Sequence, residues 1–296
     1  MASYYQGIDV LLNGHAGKQN ATAATQVSDA FRAIGSSVRV RVVDGAALAQ
    51  TATDAIKSGS TTIVAAGGDG TVSTVAAAVA GTGATLGVIP LGTLNHFAKD
   101  IGIPLDLAKA VETIVAGRTM AVDVGDLNGR SFVNNASVGM YASLISERAA
   151  LQRDGLGKWV AHAFAAMRVW RRYRHLRVVL HAEAGAQTVR TPFVFVGNNE
   201  YQLSGIELGG RKDLAGGRLH VCMAPGLTRG GVARLIVTAM FGDVCSLDGF
   251  ESFTTPELGL DAGVPSIHAT VDGEVVPMTN PLTFRIRPGA LQVIVP

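Results

Sequence analysis

Short, continuously apolar runs alternate with stretches of helical periodicity through the first third of the chain. Because these runs lack apolar–polar alternation, each is expected to be a strand buried on both faces, as in a parallel sheet covered by helices. The pattern therefore predicts an α/β domain. The expected strands are residues 8–12, 38–43, 61–66 and 85–89, and the expected helices are one ending near residue 34 and those at residues 46–57, 72–80, 94–99 and 107–116.

The pattern changes near residue 121. Asn128-Gly129 is a strong two-residue hairpin signal, and the later segments are short strands with glycine-rich turns. A chain of 296 residues is about twice as long as a typical domain. We therefore expect an α/β domain over residues 1–121 and an antiparallel β domain over residues 122–296, whose last strand could return to the first domain. The expected strands of the second domain are residues 122–127, 131–134, 177–182, 188–196, 218–223, 267–271 and 282–286, with helices at 158–173 and 229–240.

The composition excludes several classes of protein. The 25 basic and 23 acidic residues leave a net charge of +2, which is too small for a protein whose whole surface follows nucleic acid. The two cysteines, Cys222 and Cys245, lack the spacing of a zinc site and are too few for a disulfide scaffold. Since the N-terminus also lacks the pattern of a signal peptide, the sequence predicts a cytoplasmic protein.

A glycine-rich loop, Gly67-Gly68-Asp69-Gly70-Thr71, directly follows the third expected strand and precedes a helix. Ligands of open α/β sheets bind at the carboxyl ends of strands, where glycines let the backbone approach a phosphate and a helix N-terminus offers free N–H groups. Asp69 could hold Mg²⁺ or accept a proton. The alternative is a tight turn with a helix-capping Asp69, but the position after a buried strand favours phosphate binding.

Several further segments stand in chain order around this loop. They are Asn13 with Gly17, residues 90–95 with Phe97-Ala98, residues 135–140, residues 216–219 and residues 272–274. Together with residues 67–71, these segments resemble the diacylglycerol kinase and sphingosine kinase family of lipid kinases, in its bacterial branch. The resemblance implies an N-terminal parallel-sheet nucleotide-binding domain, a C-terminal antiparallel β-sandwich domain and an ATP site in the cleft between them. It also implies transfer of the γ-phosphoryl group from ATP, with Mg²⁺, to a lipid hydroxyl.

The resemblance implies catalytic roles for two acids. Asp69 would contact the metal of ATP–Mg²⁺ or act as a base, and Glu274 would be the general base or a second acid. From the residues alone, Asp272-Gly273-Glu274 is a plain hairpin turn. Helix capping explains Thr71 and Asn95 as well as a ligand contact does. The implied nucleotide contacts are Asn13, Gly17, Gly67, Gly68, Gly70, Thr71, Gly92, Thr93 and Asn95.

The sequence departs from the family's pattern at two places. His96 and Asp123 correspond to the substrate cleft, but many members carry Asp where His96 stands. A histidine can bond a phosphate or carry a proton near neutral pH, or it can have a purely structural role. Asp123 could equally be an acidic residue on the solvent-exposed side of a strand. Asp213 corresponds to an accessory Mg²⁺ site, yet Gly216 stands where another Asp is expected. Because Mg²⁺ prefers two or more carboxylate or water-bridged ligands, the sequence argues against that accessory site.

A basic and aromatic segment extends from Arg148 to Arg177. It holds eight basic residues, both tryptophans and a single acid, Asp154. Arginines interleaved with aromatic residues suit an anionic membrane surface, which would place the protein peripherally on the inner membrane face. The alternative is a core-packing helix with a solvated arginine face. No RNA-binding motif accompanies the segment.

The sequence therefore predicts an ATP- and Mg²⁺-dependent lipid kinase acting on a membrane lipid such as diacylglycerol. The first alternative is a soluble-metabolite kinase resembling the NAD kinases, which also contain the glycine loop. The second alternative is a non-catalytic nucleotide- or lipid-binding relative, because His96 and Gly216 each stand in place of an acid. The sequence leaves a homodimer open.

Overall fold

The structure is a computed structural model that describes residues 7–14, 18–140, 175–201, 210–211, 213–227, 230–231 and 250–296. The chain forms two compact units. The first unit contains Met1–Val124 and Arg287–Pro296, and the second contains Gly125–Ile286. The chain therefore enters the second unit within strand β5 (Thr119–Leu127) and leaves it within strand β16 (Leu282–Ile294).

The first unit is built on a parallel sheet. Its strands run in the order β2-β1-β3-β4-β16, with only the end of β16 taking part through Gln292 and Val293. Every residue of β3 after Thr62, and every residue of β4 after Thr85, is buried. The prediction of a two-sided buried parallel sheet is confirmed. The strands are β1 (Ile8–Asn13), β2 (Arg39–Val43), β3 (Thr62–Gly67) and β4 (Thr85–Pro90).

Five α-helices follow the strands of this sheet. The core of the unit packs Phe31 of the first helix against Val10, Val64 and Ile89 of the strands. Each such side chain stabilises the fold by about 1.5–3 kcal/mol when fully buried. The helices are α1 (Lys18–Ala33), α2 (Leu48–Lys57), α3 (Asp69–Val79), α4 (His96–Asp100) and α5 (Leu107–Ala116), with a short 3₁₀ turn at Gly45–Ala47.

The second unit is a β-sandwich. A six-stranded antiparallel sheet has the order β12-β11-β10-β7-β14-β15, and a second antiparallel group joins the start of β16 to β13, β8 and β9. One apolar cluster contains side chains from both, so the two pack face to face as predicted. The strands are β6 (Arg130–Phe132), β7 (Asn135–Gly139), β8 (Leu176–Ala182), β9 (Gly185–Thr191), β10 (Phe193–Asn198), β11 (Leu219–Met223), β12 (Glu251–Thr255), β13 (Glu257–Asp261), β14 (Ser266–Val271) and β15 (Glu274–Thr279).

One expected strand is divided in the structure. The sequence predicts a single strand over residues 188–196, but β9 ends at Thr191 and β10 begins at Phe193. Pro192 between them has no N–H to donate to a sheet, which is the physical reason for the break. Four further strands, β7, β12, β13 and β15, are absent from the predicted strands given above.

Three groups of predicted features lie outside the described residues. They are Gly17, the helix at 158–173 with all of the helix at 229–240 except residues 230–231, and all of the basic segment from Arg148 except residues 175–177. Within the described part of the chain, no helix has the length and apolar character needed to cross a bilayer.

Candidate active site

The glycine-rich loop connects the carboxyl end of β3 to the start of α3. Gly67 is the last residue of β3, and Gly68 is the N-cap of α3 with extended backbone angles (φ −88°, ψ −174°) and no side chain to cap the helix. The first intrahelical bond of this turn is donated by the amide of Val72 to the carbonyl of Gly68. The preceding N–H groups are therefore available to a ligand, and the positive end of the helix dipole favours an anion.

A second glycine loop, between β4 and α4, contacts the first loop backbone to backbone. A Cβ atom on Gly92 would collide with the Cα of Gly68, so no side chain fits there. The amide of Leu91 donates to the carbonyl of Gly67 over 3.0 Å. The two loops thus form a single surface of bare backbone at the carboxyl ends of β3 and β4, which we call the glycine cradle.

We expect Gly92→Ala to disrupt the glycine cradle. The added methyl group must push the two loops apart, and overpacking of this kind costs about 1–3 kcal/mol. Urea unfolding measures that loss. The matched control is Gly70→Ala, because nothing lies within 4 Å of a Cβ atom at Gly70 and alanine stabilises a helix by up to about 1 kcal/mol relative to glycine. Equal stability of Gly92→Ala and the wild type would contradict the close contact.

Two of the predicted nucleotide-contact residues, Asn13 and Thr71, bond to each other. Asn13 ends β1, and its Nδ2 donates to Oγ1 of Thr71 over 3.1 Å. Thr71 is buried in the first turn of α3, and its side chain leaves no room for a Cβ on Gly67. The end of β1 is therefore tied to the start of α3 beside the cradle. The hydroxyl proton of Thr71 remains able to donate to an acceptor such as a phosphate oxygen.

Asn95 closes the second glycine loop. Its Nδ2 donates to the carbonyl of Gly92 over 2.9 Å, and its Oδ1 accepts from the amide of Gly92 over 3.0 Å. Asn95 is buried, and its backbone adopts the left-handed conformation (φ 52°). Its side chain makes no hydrogen bond that caps α4. Its side chain thus fixes the shape of the loop. Thr93 and His96 are both exposed beside it.

Asp69 carries an unpartnered buried oxygen. Its Oδ1 is inaccessible to solvent and makes no hydrogen bond among the described residues. Leaving a buried charged group unsatisfied costs more than the 1–3 kcal/mol typical of a neutral group. A carboxylate in this state, in the first turn of α3 beside the cradle, is suited to a cation or to water molecules around one.

Two other acids that the sequence singles out, Asp123 and Asp213, have structural partners. Asp123 is buried, and its Oδ1 accepts from the amide of Gly289 over 2.8 Å. Asp213 is exposed, and its Oδ1 accepts from the amide of Ala215 over 2.7 Å in a turn. Among the residues that the structure describes, no three metal-ligating side chains cluster.

In the second unit, Asp272 organises the turn that precedes Glu274. Its Oδ2 accepts from the amide of Val133 over 2.9 Å, and its Oδ1 accepts from the amides of Asn134 (2.9 Å) and Asn135 (3.0 Å). Asp272 adopts a left-handed backbone (φ 46°), which Asp tolerates better than most residues. The carboxylate therefore holds the turn against the segment before β7.

Glu274, the first residue of β15, is exposed. Its Oε2 lies 2.5 Å from Nη2 of Arg130, and the side chains of both residues are about half accessible. The ion pair orients the carboxylate without removing it from water, so it contributes little to stability. The sequence did not indicate a role for Arg130, although this residue directly follows the Asn128-Gly129 turn.

Arg211 is a second residue that sequence reasoning missed. It is buried, and its guanidinium donates to the carbonyls of Val133 (2.5 Å) and Asn198 (3.1 Å) and to Oδ1 of Asn134 (3.2 Å). It also lies over the ring of Tyr201 at 5.6 Å. Residues 133–135 are thus held by Asp272 through their amides and by Arg211 through carbonyl and side-chain oxygens. We call this arrangement the Asp272–Arg211 clamp.

A buried histidine lies close to the clamp. Nδ1 of His220 accepts from the amide of Tyr201 over 3.2 Å, so the neutral ring carries its proton on Nε2, which lies 3.7 Å from Sγ of Cys222. Burial lowers the pKa of His220, and the charge of Glu200 opposes that effect.

The lowered pKa of His220 predicts a pH-dependent stability. Below about pH 6.5 the unfolded chain binds a proton at this residue, whereas the folded chain binds one only at lower pH. The free energy of unfolding should therefore fall as the pH falls from 7 to 5. Urea unfolding at each pH measures the slope. His220→Gln should reduce the slope, whereas His268→Gln, at an exposed position, should leave it unchanged. Equal slopes in the wild type and His220→Gln would contradict the prediction.

Two protein families match almost the whole chain. Residues 8–127 match the diacylglycerol kinase catalytic domain, and residues 136–295 match the YegS C-terminal NAD kinase beta sandwich-like domain. The resemblance drawn from the sequence segments is confirmed.

Individual relatives agree with these matches. A diacylglycerol kinase of Bacillus subtilis (strain 168) is 40% identical over 99 residues, which are 32% of this chain and 33% of that protein. A probable YegS-like lipid kinase of Klebsiella pneumoniae (strain 342) is 38% identical over 99 residues, with the same coverage. The chain spans from a third to about half of the length of such curated relatives. The crystal structure of a diacylglycerol kinase from Bacillus anthracis str. Sterne shares the fold, with a TM-score of 0.70 at 17% identity over 98% of this chain and 96% of that one.

Proposed function

This chain belongs to the diacylglycerol kinase family of the YegS type, and on that premise we propose that it is an ATP-dependent lipid kinase. It would transfer the γ-phosphoryl group of ATP to a hydroxyl of a membrane lipid, with diacylglycerol as the first acceptor to test. The observation that carries the proposal is the unpartnered buried Oδ1 of Asp69 beside the glycine cradle.

The cradle is suited to the phosphate chain of the donor. Gly68 and Gly92 present backbone without side chains, and the first turn of α3 directs free N–H groups to the same place. Thr71 supplies a hydroxyl whose orientation is fixed by Asn13. Phosphoryl transfer depends mainly on positioning and on stabilising charge, so a rigid cradle of donors is the machinery that the reaction needs.

The residues at the cradle also fit a divalent cation that is bound mainly by the nucleotide. Mg²⁺ commonly takes one or two protein carboxylates and fills its remaining positions with phosphate oxygens and water. Asp69 supplies one such carboxylate, and the described residues offer no separate cluster of ligands. When bound, the metal neutralises charge on the phosphates of ATP.

Glu274 is the proposed general base. In the reaction, the acceptor hydroxyl oxygen forms a bond to the γ-phosphorus, the bond from that phosphorus to the β–γ bridging oxygen breaks, and the hydroxyl proton passes to the Glu274 carboxylate. Arg130 orients that carboxylate by its ion pair. Asp272 has its oxygens engaged by three amides, so we propose that it positions the turn and takes no part in proton transfer.

The deciding experiment incubates the purified protein with γ-labelled ATP and Mg²⁺ and with one of three acceptors, namely a total lipid extract, diacylglycerol or NAD. A labelled lipid product that Asp69→Asn and Glu274→Gln fail to form would support the proposal. The matched control is Glu112→Gln, an exposed acid on α5. Labelling of NAD alone would favour the soluble-metabolite kinase, to which the name of the second matched domain points. ATP binding without any transfer would favour a non-catalytic relative.

Membrane association through Arg148–Arg177 stays a prediction. It would be weakened by replacing Arg171, Arg172 and Arg174 together, as measured by binding to anionic vesicles.

A further inference from the structure

Two leucines beside the glycine cradle are exposed. Leu91 is 45% exposed and Leu94 is 58% exposed, which is the largest exposure of any large apolar side chain in the described part of the chain. They flank Gly92-Thr93 in the loop between β4 and α4. Among the large apolar residues that are exposed in the described part of the chain, no other two lie within four positions of each other in the sequence. We call Leu91 and Leu94 the leucine pair.

The leucine pair cannot turn inward without breaking its loop. The amide of Leu91 is bonded to the carbonyl of Gly67, and Asn95 makes two hydrogen bonds to Gly92. Gly92 also lies against Gly68 with no space for adjustment. The loop therefore holds two apolar side chains in water while its backbone is fixed, and adjacent exposed apolar groups on a fixed loop indicate a surface that is covered by a partner.

The charge around the leucine pair selects the class of partner. No acidic residue occurs between Asp69 and Asp100, and the exposed residues that follow the pair include His96 and Lys99. An apolar tip followed by one exposed lysine suits the boundary between headgroups and acyl chains, where leucine enters the apolar layer and lysine stays at the phosphates.

We propose that the leucine pair inserts into the bilayer surface and docks the glycine cradle on the membrane that holds the acceptor lipid. This proposal rests on the proposed function for its purpose. An acceptor hydroxyl at the headgroup level must meet a phosphoryl donor held at Gly68 and Gly92, and the leucine pair is covalently continuous with that cradle. Insertion of the loop therefore brings the donor site to the depth of the acceptor.

The test compares Leu91→Ser/Leu94→Ser with the wild type in two assays. The first is co-sedimentation with phosphatidylcholine vesicles that contain phosphatidylglycerol. The second is phosphoryl transfer to diacylglycerol in those vesicles and to a short-chain diacylglycerol dissolved in water. We expect vesicle affinity and kcat/KM for vesicle diacylglycerol to fall by about tenfold or more, since losing one buried leucine alone is worth about that factor. Transfer to the dissolved acceptor should fall far less than transfer to vesicle diacylglycerol.

Two further variants sharpen the test. Ile34→Ser removes an exposed apolar residue just after α1 and before the amino end of β2, so it lies at the end of the parallel strands that is opposite to the cradle, and it should bind vesicles like the wild type. Leu94→Trp should bind at least as tightly as the wild type and add a fluorescence signal that brominated lipid quenches. Thermal unfolding of each variant checks that the fold is intact.

The outcomes separate the two proposals. Undiminished vesicle binding by the double serine variant, or an added fluorescence signal in Leu94→Trp that brominated lipid fails to quench, would overturn membrane docking and would leave a protein partner as the occupant of the pair. A wild type that transfers phosphate to no lipid would overturn the proposed function, while a loss of vesicle binding in the double variant would still support docking.

Discussion

Asp69→Asn is expected to lower kcat for phosphoryl transfer by roughly 10²–10³-fold, the loss typical of removing one electrostatic stabiliser from an active site. The side chain keeps its shape but no longer offers a negative oxygen to the cation of the nucleotide complex. The measurement is transfer of label from γ-labelled ATP to diacylglycerol at saturating ATP.

The same substitution should leave stability equal or higher. The wild-type carboxylate has a buried oxygen without a hydrogen-bond partner among the described residues, so folding must overcome the cost of desolvating it. Neutral asparagine lowers that cost. A variant that loses activity and keeps its melting temperature would support the assignment of Asp69 as a residue that binds a ligand and does not stabilise the fold. A variant that retains activity, or one that unfolds several degrees earlier, would contradict the assignment.

Asp272→Asn is expected to lower the free energy of unfolding by about 2–4 kcal/mol. Asparagine tolerates the left-handed backbone at this position, so the effect isolates the carboxylate. If the amide oxygen keeps the bonds to Asn134 and Asn135, the amide nitrogen replaces Oδ2 and faces the N–H of Val133, a donor opposite a donor. Urea denaturation measures the loss.

Glu274→Gln is the comparison for that variant. The Glu274 side chain is exposed and bonded only to an exposed arginine in the described structure, so its removal should barely change stability while it abolishes proton acceptance. We therefore expect two neighbouring acids to give opposite results: Asp272→Asn mainly lowers the free energy of unfolding, and Glu274→Gln mainly stops turnover. Similar stability losses in both variants would contradict this division.

Local patterns predicted the first unit well. Each apolar run of the first unit forms a parallel strand in the structure. A strand that is buried on both faces consists almost entirely of apolar residues, so it is visible in the sequence. The glycine loop was predictable for a similar reason. Only glycine permits the contact between Gly68 and Gly92, and its placement after a buried strand is visible in the sequence.

Long-range partners could not be predicted in the same way. Asp272 bonds amides about 140 positions earlier in the chain, and Arg211 bonds a carbonyl 78 positions earlier. Neither local periodicity nor a motif carries such information. As a result, Asp272 looked like part of an active-site motif or a plain turn, and Arg211 was overlooked. Pro192 shows the converse, since its effect on the predicted strand is local and could have been anticipated.

The division of strand β16 between the two units has a consequence for biosynthesis. Strand β4 emerges from the ribosome about two hundred residues before Gln292 and Val293, the residues that pair with it. Until then, the growing chain presents an unsatisfied edge along Thr85 and Leu86, and Leu86 is buried in the finished protein. Unpaired edges of this kind recruit other strands. The sheet that holds the glycine cradle is thus started first and completed last, and the second unit must be translated while that edge is open.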